Sequence, residues 1–215
     1  MTRFKGPILV LVIQGFLVVE IVTGLVTGQW MPVFVAVSTL GLTLLPDRFA
    51  RFFGIALPGS ILSAIVIFIF ATLFLGEVAD FYERFWWWDL VLHFFSALSI
   101  AAMAFLAIFM LFEGDRYAAP PWALAVLSAA VALAIGALWE IFEYGMDQIF
   151  GMNMQKSGLT DTMTDLMIDT LGAALGGLSG YLFLKGRQFG GIGAAMAEFV
   201  ALNRRLYRKL RDKNG

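Results

Sequence analysis

Six apolar runs constrain this chain more than any other feature: residues 7–27, 31–45, 55–76, 87–112, 121–144 and 164–184. A helix needs about 20 apolar residues, and about 17 at the short end, to cross the hydrocarbon of a bilayer. Only 14% of the residues are charged, where a soluble domain carries about a quarter. Hydrophobic residues make up 60% of the chain and the mean hydropathy is +0.83. The expected fold is therefore an all-α, polytopic membrane bundle of six transmembrane helices over residues 1–184, with a polar tail at 185–215. A net charge of −1 gives no electrostatic case for nucleic acid. The chain has no cysteine, which excludes disulfides, thiolate metal sites and cysteine nucleophiles.

The second run is short and boxed by Pro32 and Pro46. On length alone it is either a tilted span or a re-entrant piece. Loop charge separates the two. With the N-terminus in the cytoplasm and all six runs crossing, 13 Lys and Arg residues fall inside, and only Arg84 and Lys156 fall outside. That is the asymmetry of the positive-inside rule, and it degrades if the second run does not cross. Both termini are thus expected inside. Trp30, Trp86, Trp87, Trp88 and Trp139 fall near the outer interface, and Trp122 marks the inner one. The first run contains Glu20 and lacks a small-x-small cleavage pattern, so it reads as a retained span. In the tail, Met196, Phe199, Leu202, Leu206 and Leu210 recur at helical spacing among Arg204, Arg205, Arg208 and Lys209. This is the pattern of a basic amphipathic helix on the anionic inner leaflet.

Acid inside the spans is the informative chemistry. An acidic side chain at mid-bilayer costs roughly 2.5–3.5 kcal/mol on insertion scales, so such residues face the bundle interior or a wet cavity. Asp89, His93 and Ser96 share one helical face in the fourth run. Gly136, Glu140, Glu143 and Asp147 form a stripe on the fifth helix. Asp161, Asp165 and Asp169 lead the sixth, followed by Gly172, Gly176 and Gly180. Chain direction places all of these, with Glu20, in the outer third of the bundle or just above it. The three glycines make a small-xxx-small face that lets the last span approach its neighbours closely.

So many carboxylates cannot share a low-dielectric site while all ionised: either several stay protonated or a cation neutralises them. The donor set of one histidine, the only one in the chain, and otherwise oxygen suits Zn, Mn, Fe, Mg or Ca. The expected metal ligands are His93, Glu143, Asp165 and Asp169, with Glu140, Asp89 and Asp161 as acid/base or supporting groups. No HExxH pair is present, Ser96 has no oxyanion signature beside it, and Gly190-Gly191-Ile192-Gly193 is too short for a phosphate loop. The polar stretch 151–158 has the make-up of a lid, with Lys156 and Arg84 as the outer cations available to an anionic substrate.

The motifs Trp88-Asp89-Leu-Val-Leu-His93-Phe94-Phe95-Ser96, Trp139-Glu140-Ile-Phe-Glu143-Tyr-Gly-Met-Asp147, Asn153-Met-Gln155-Lys156-Ser157-Gly158 and Asp161-Thr-Met-Thr-Asp165-Leu-Met-Ile-Asp169-Thr-Leu-Gly172 resemble the YjdF-type bacterial inner-membrane proteins, a family with a domain of unknown function. The resemblance implies a multi-pass protein of the bacterial inner membrane and little chemistry. A looser pattern is similar to VanZ-like membrane proteins, with Asp89, His93-Phe94, Glu143 with Gln148, Asp165 and Asp169 through Gly172 in the corresponding places. Leu90 stands where that pattern often has a basic residue.

Three functions stay open from the sequence: a metal-dependent hydrolase or transferase acting on a lipid or lipid-linked substrate, a cation- or proton-coupled transporter, and a structural or regulatory membrane protein. Transport wants ionisable groups along the whole path, and the inner halves of the spans offer almost none. Membrane lipid is the one partner the sequence implies directly; oligomeric state is left open.

Overall fold

The computed structural model describes residues 7–112, 119–187 and 190–205. Arg3, Lys5, Arg116, Leu206, Arg208, Lys209, Leu210, Arg211 and Lys213, which entered the charge and tail arguments, lie outside the described residues. The described residues contain helices and no strand, and six of the helical stretches are long and apolar enough to cross a membrane. The chain divides into two compact units, one ending at Trp88 and the other beginning at Asp89.

The first unit holds α1 (Ile8–Thr27), α2 (Trp30–Phe52), α3 (Gly59–Ile69) and the short α4 (Phe81–Arg84). Gly28, at φ +74°, closes α1 in the left-handed conformation that glycine adopts most cheaply, and α2 follows at once. Gly24 makes the close α1–α2 approach, since a β-carbon there would stand 2.5 Å from Val33 Cγ2. Val10, Ile13 and Leu17 line one face of α1 and pack with Ala36, Leu62, Val66 and Phe74 as the core of the unit. The second run forms one continuous helix, long and apolar enough to cross a membrane. Pro32 falls in the first turn of α2, where a missing N–H is harmless, and the helix continues through Pro46 for six further residues. Spans tolerate an internal proline when side chains and neighbouring helices take up the freed backbone groups. α3 passes into a π-helix over Phe70–Val78. There Phe70 and Phe74 stack at 5.4 Å, and Phe16 meets both edge-on.

The second unit holds α5 (Trp88–Phe112), α6 (Pro121–Phe150), α7 (Leu159–Leu184) and α8 (Gly190–Leu202). At 1.5 Å per residue, the 30 residues of α6 reach about 45 Å, beyond the roughly 30 Å hydrocarbon layer. The small residues of α7 set how the helices pack. A β-carbon at Gly172 would overlap the Phe94 carbonyl oxygen of α5, and one at Gly176 would stand 2.5 Å from that of Leu98. On the α6 side, one at Gly177 would stand 2.5 Å from the Ala125 carbonyl oxygen. Backbone therefore meets backbone on both sides of α7, the close approach expected of its small-xxx-small face. The described part of the tail helix, α8, turns its apolar face to this bundle. Met196 is buried with Ala102, Phe105, Leu106 and Leu124, and Phe199 and Val200 pack against them.

Candidate functional site

Three helices of the second unit bring their polar ends together. The site draws on the first turns of α5, the last three turns of α6 and the first three turns of α7. Local sequence explains the precision: Asp89 and His93 are one turn apart on α5, Asp165 and Asp169 one turn apart on α7, and each pair shares a face. The α7 glycines below them hold these faces within side-chain reach.

His93 is the hub and is itself buried. Its Nδ1 lies 3.3 Å from Asp169 Oδ1, within hydrogen-bonding range. Its Nε2 faces two further carboxylates, Glu140 Oε1 at 3.8 Å and Asp89 Oδ1 at 3.9 Å. Asp89, His93 and Asp165 each offer a donor atom, and these atoms all lie within 4.8 Å of one another. Two ligands held at about 2.1 Å from one ion are about 4.2 Å apart when opposite and about 3.4 Å apart in a tetrahedron, so the set would have to close by roughly 0.6–1.4 Å to hold a cation.

Burial makes the arrangement costly as it stands. Asp165 and Asp169 are each 1% exposed and Glu140 4%. Both oxygens of Glu140, both of Asp165 and Oδ2 of Asp169 are buried without a well-formed hydrogen bond among the described residues, although Thr162 stands near enough to the Glu140 carboxyl to interact with it. A buried oxygen without a partner carries a desolvation penalty of about 1–3 kcal/mol, more if ionised. These five oxygens belong to three acids on α6 and α7, and Trp88 Nε1, a donor on α5, is buried without a partner among the described residues as well.

Asp169 owes its position to Gly136 on α6. A β-carbon at Gly136 would overlap Asp169 Oδ2 and stand 3.0 Å from its carboxyl carbon. The bare backbone of α6 is thus the cradle for the carboxylate that holds the imidazole. Glycine at this one place in the acidic stripe of α6 was legible as a small residue, but its partner on α7 was not.

The structure sorts the remaining sequence candidates into different tasks. Glu143 is buried, and its Oε1 accepts the indole N–H of Trp139 at 2.9 Å, one turn back on the same helix. It lies outside the Asp89–His93–Asp165 donor set. Asp161 accepts the backbone N–H of Lys156 at 3.0 Å. Asp147 accepts the backbone N–H groups of Met154 at 2.7 Å and Gln155 at 2.9 Å. These two aspartates clamp the connection between α6 and α7. Gln155 reaches from that connection to donate to the Thr162 hydroxyl at 2.6 Å. Lys156 stands close enough to Asp89 for their charges to interact. The Ser96 hydroxyl donates to the His93 carbonyl at 2.8 Å, which engages it with its own helix. Glu20 belongs to the first unit, half-buried on α1.

A family described as predicted membrane proteins, DUF2238, matches residues 8–186, a stretch that takes in α1 to α7 and every residue of the site. The chain belongs to this family. Its description agrees with the six apolar helices and assigns no chemistry. A relative from Thermotoga maritima, an uncharacterized protein, is 31% identical over 98 residues. That alignment covers 46% of this chain and 50% of the relative, so the chain spans about half the length of the curated relative it matches. No solved structure matches the chain.

Proposed function

We propose that this member of the DUF2238 family is a divalent-cation-dependent enzyme of the bacterial inner membrane, a hydrolase or transferase acting on a lipid or lipid-linked substrate at the outer leaflet. The observation that carries the reading is the Asp89–His93–Asp165 donor set surrounded by buried carboxylate oxygens without well-formed hydrogen bonds. The Asp169 contact gives Nδ1 its partner and leaves Nε2 to face the cation, the carboxylate–histidine–metal arrangement that orients a metal-bound imidazole. Asp89 and Asp165 are the oxygen ligands, and Glu140, beside Nε2, is the proton acceptor for an attacking hydroxyl or water. Such a cation supplies Lewis acidity toward an ester or phosphoester oxygen.

Lys156, on the connection clamped by Asp161, would place a positive charge near Asp89. The charge asymmetry of the loops assigns this end to the outer side. The resemblance to YjdF-type proteins supports a bacterial inner-membrane setting. Transport fits less well. Below the site α7 meets α5 and α6 backbone to backbone, and the hydroxyls of Ser128 and Ser179 are bonded within their own helices.

The test is the metal content of purified protein by mass spectrometry, beside His93→Ala and Asp165→Asn, followed by a screen of lipid phosphates for metal-dependent product release. Near-stoichiometric metal, lost in both variants, is the expected result. Metal-free preparations in which both variants fold normally overturn the reading.

A further inference from the structure

The first unit carries a separate feature that the His/carboxylate site does not use. A cavity of about 210 Å³ opens where the start of α1, the end of α2 and the start of α3 meet, with room for several water molecules. We propose that this cavity binds one anionic phospholipid, with its phosphate on Arg48 and Arg51, its glycerol esters beside Gln14, and an acyl chain against the apolar wall.

The lining is graded by depth. Asp47, Arg48 and Arg51 stand at the mouth, on the last turns of α2. Thr43 is four to eight residues earlier on the same helix, about 6–12 Å deeper at 1.5 Å per residue. There it accepts the Gln14 amide N–H of α1 at 3.3 Å. Val10, Leu11, Leu44 and Leu62 supply the apolar wall. Charge above, an amide and hydroxyl below it, and aliphatic side chains alongside reproduce the phosphate, ester and hydrocarbon order of a phospholipid.

Charge selects the lipid class. Asp47 answers Arg51 at 2.6 Å, and no carboxylate among the described residues pairs with Arg48. The mouth thus carries one uncompensated positive charge, which a net anionic lipid neutralises and a zwitterionic one does not. The loop charges assign this end to the cytoplasmic leaflet, where anionic lipids attract basic groups. Gln14 separates a bound lipid from mere snorkelling of the arginines. Gln14 ties α1 to α2 through Thr43 and still has a second amide N–H and its Oε1 on a residue that lines the cavity, polar groups that a lone arginine anchor would not need.

The experiment is native mass spectrometry of the full-length protein in detergent with equal phosphatidylglycerol and phosphatidylcholine, repeated with Arg48→Ala and Gln14→Leu. Arg48 is exposed, so its removal leaves folding intact, and circular dichroism confirms this for both variants. The expected result is one phosphatidylglycerol per chain, retained at least about 10-fold over phosphatidylcholine, with retention falling about 10-fold in each variant. Equal retention of the two lipids, unchanged retention in Arg48→Ala, or full displacement by soluble glycerol phosphate each overturns the proposal.

Discussion

Gly136→Ala tests the candidate site at a position no ligand touches. The new methyl carbon would overlap Asp169 Oδ2 and stand 3.0 Å from the carboxyl carbon, where ordinary contact begins near 3.4 Å. α6 and α7 are packed along their length, so the carboxylate must give way, by an amount on the order of 1 Å. The Asp169–His93 contact is already long at 3.3 Å, and such a shift takes it out of hydrogen-bonding range. Loss of the carboxylate partner of a metal-bound histidine typically costs 10–100-fold in affinity, which is about 1.4–2.7 kcal/mol. The assay is competition with a chromophoric chelator for Zn²⁺ or Mn²⁺ in detergent. Gly145→Ala is the internal control: it lies on the same helix, and its β-carbon would meet nothing within 4 Å. That control should bind metal as the parent does and unfold no earlier, because alanine is the better helix former. Parent-like affinity in Gly136→Ala would refute the cradle, while a parent protein that binds no metal would refute the metal site itself.

Three further outcomes follow from the same geometry. Bound metal should raise the thermal unfolding midpoint and chelation should lower it; at 100 times Kd the stabilisation is about 2.7 kcal/mol, readable by differential scanning fluorimetry. Asp147→Ala removes the acceptor of two backbone N–H groups, each worth about 1.5–3 kcal/mol as a bond to a charged group. Hydrogen exchange should then accelerate over residues 151–158 while metal content stays at the parent level, and metal loss without faster exchange would contradict the division of roles. Gly176→Leu should cost more than the 1–3 kcal/mol typical of overpacking, because the obstacle is the Leu98 carbonyl of α5 and not a movable side chain; an unchanged midpoint would show that α5 and α7 do not pack this closely.

The six spans were legible because hydropathy and helix length report the same physical requirement, the thickness of the bilayer. Their polar ends were less so. The fifth run appears to stop at Tyr144 and the sixth to start at Thr164 because acidic residues dilute the hydropathy there. The backbone ignores that dilution: α6 runs on to Phe150 and α7 begins at Leu159. Pro46 marks a boundary in sequence and an interior residue in the helix. The π-helix at Phe70–Val78 leaves no trace in an unbroken apolar run. For the site, chain direction was enough to bring His93 and the acids of α6 and α7 to one end. Roles were harder, because they depend on which atom faces which. Glu143, placed among the ligands by its stripe, has one oxygen that accepts from Trp139, a donor visible at i−4 in the sequence. Asp161, placed among the acid/base groups, also accepts the backbone N–H of Lys156, five residues earlier.

That sorting bears on whether the polar layer merely ties helices together. A tying network is most stable when its members satisfy one another, because a half-satisfied buried network is worse than an apolar core. Asp147 and Asp161 behave as ties and have found their donors. Glu140 and Asp165 differ: they are more deeply buried, and no well-formed hydrogen bond reaches their oxygens, though Glu140 Oε1 lies 3.8 Å from His93 Nε2. The unmet oxygens lie on Glu140, Asp165 and Asp169, while Asp147 and Asp161, which accept backbone N–H groups, lie toward the connecting loop. The proposed cation site would account for that partition, which a purely structural network does not call for. Replacing Glu140 and Asp165 together by their amides therefore separates the two readings. The amides keep the shape and remove the charge, so a tie should survive them with its unfolding midpoint preserved. A cation site should lose its metal, and with it the midpoint shift that metal produces.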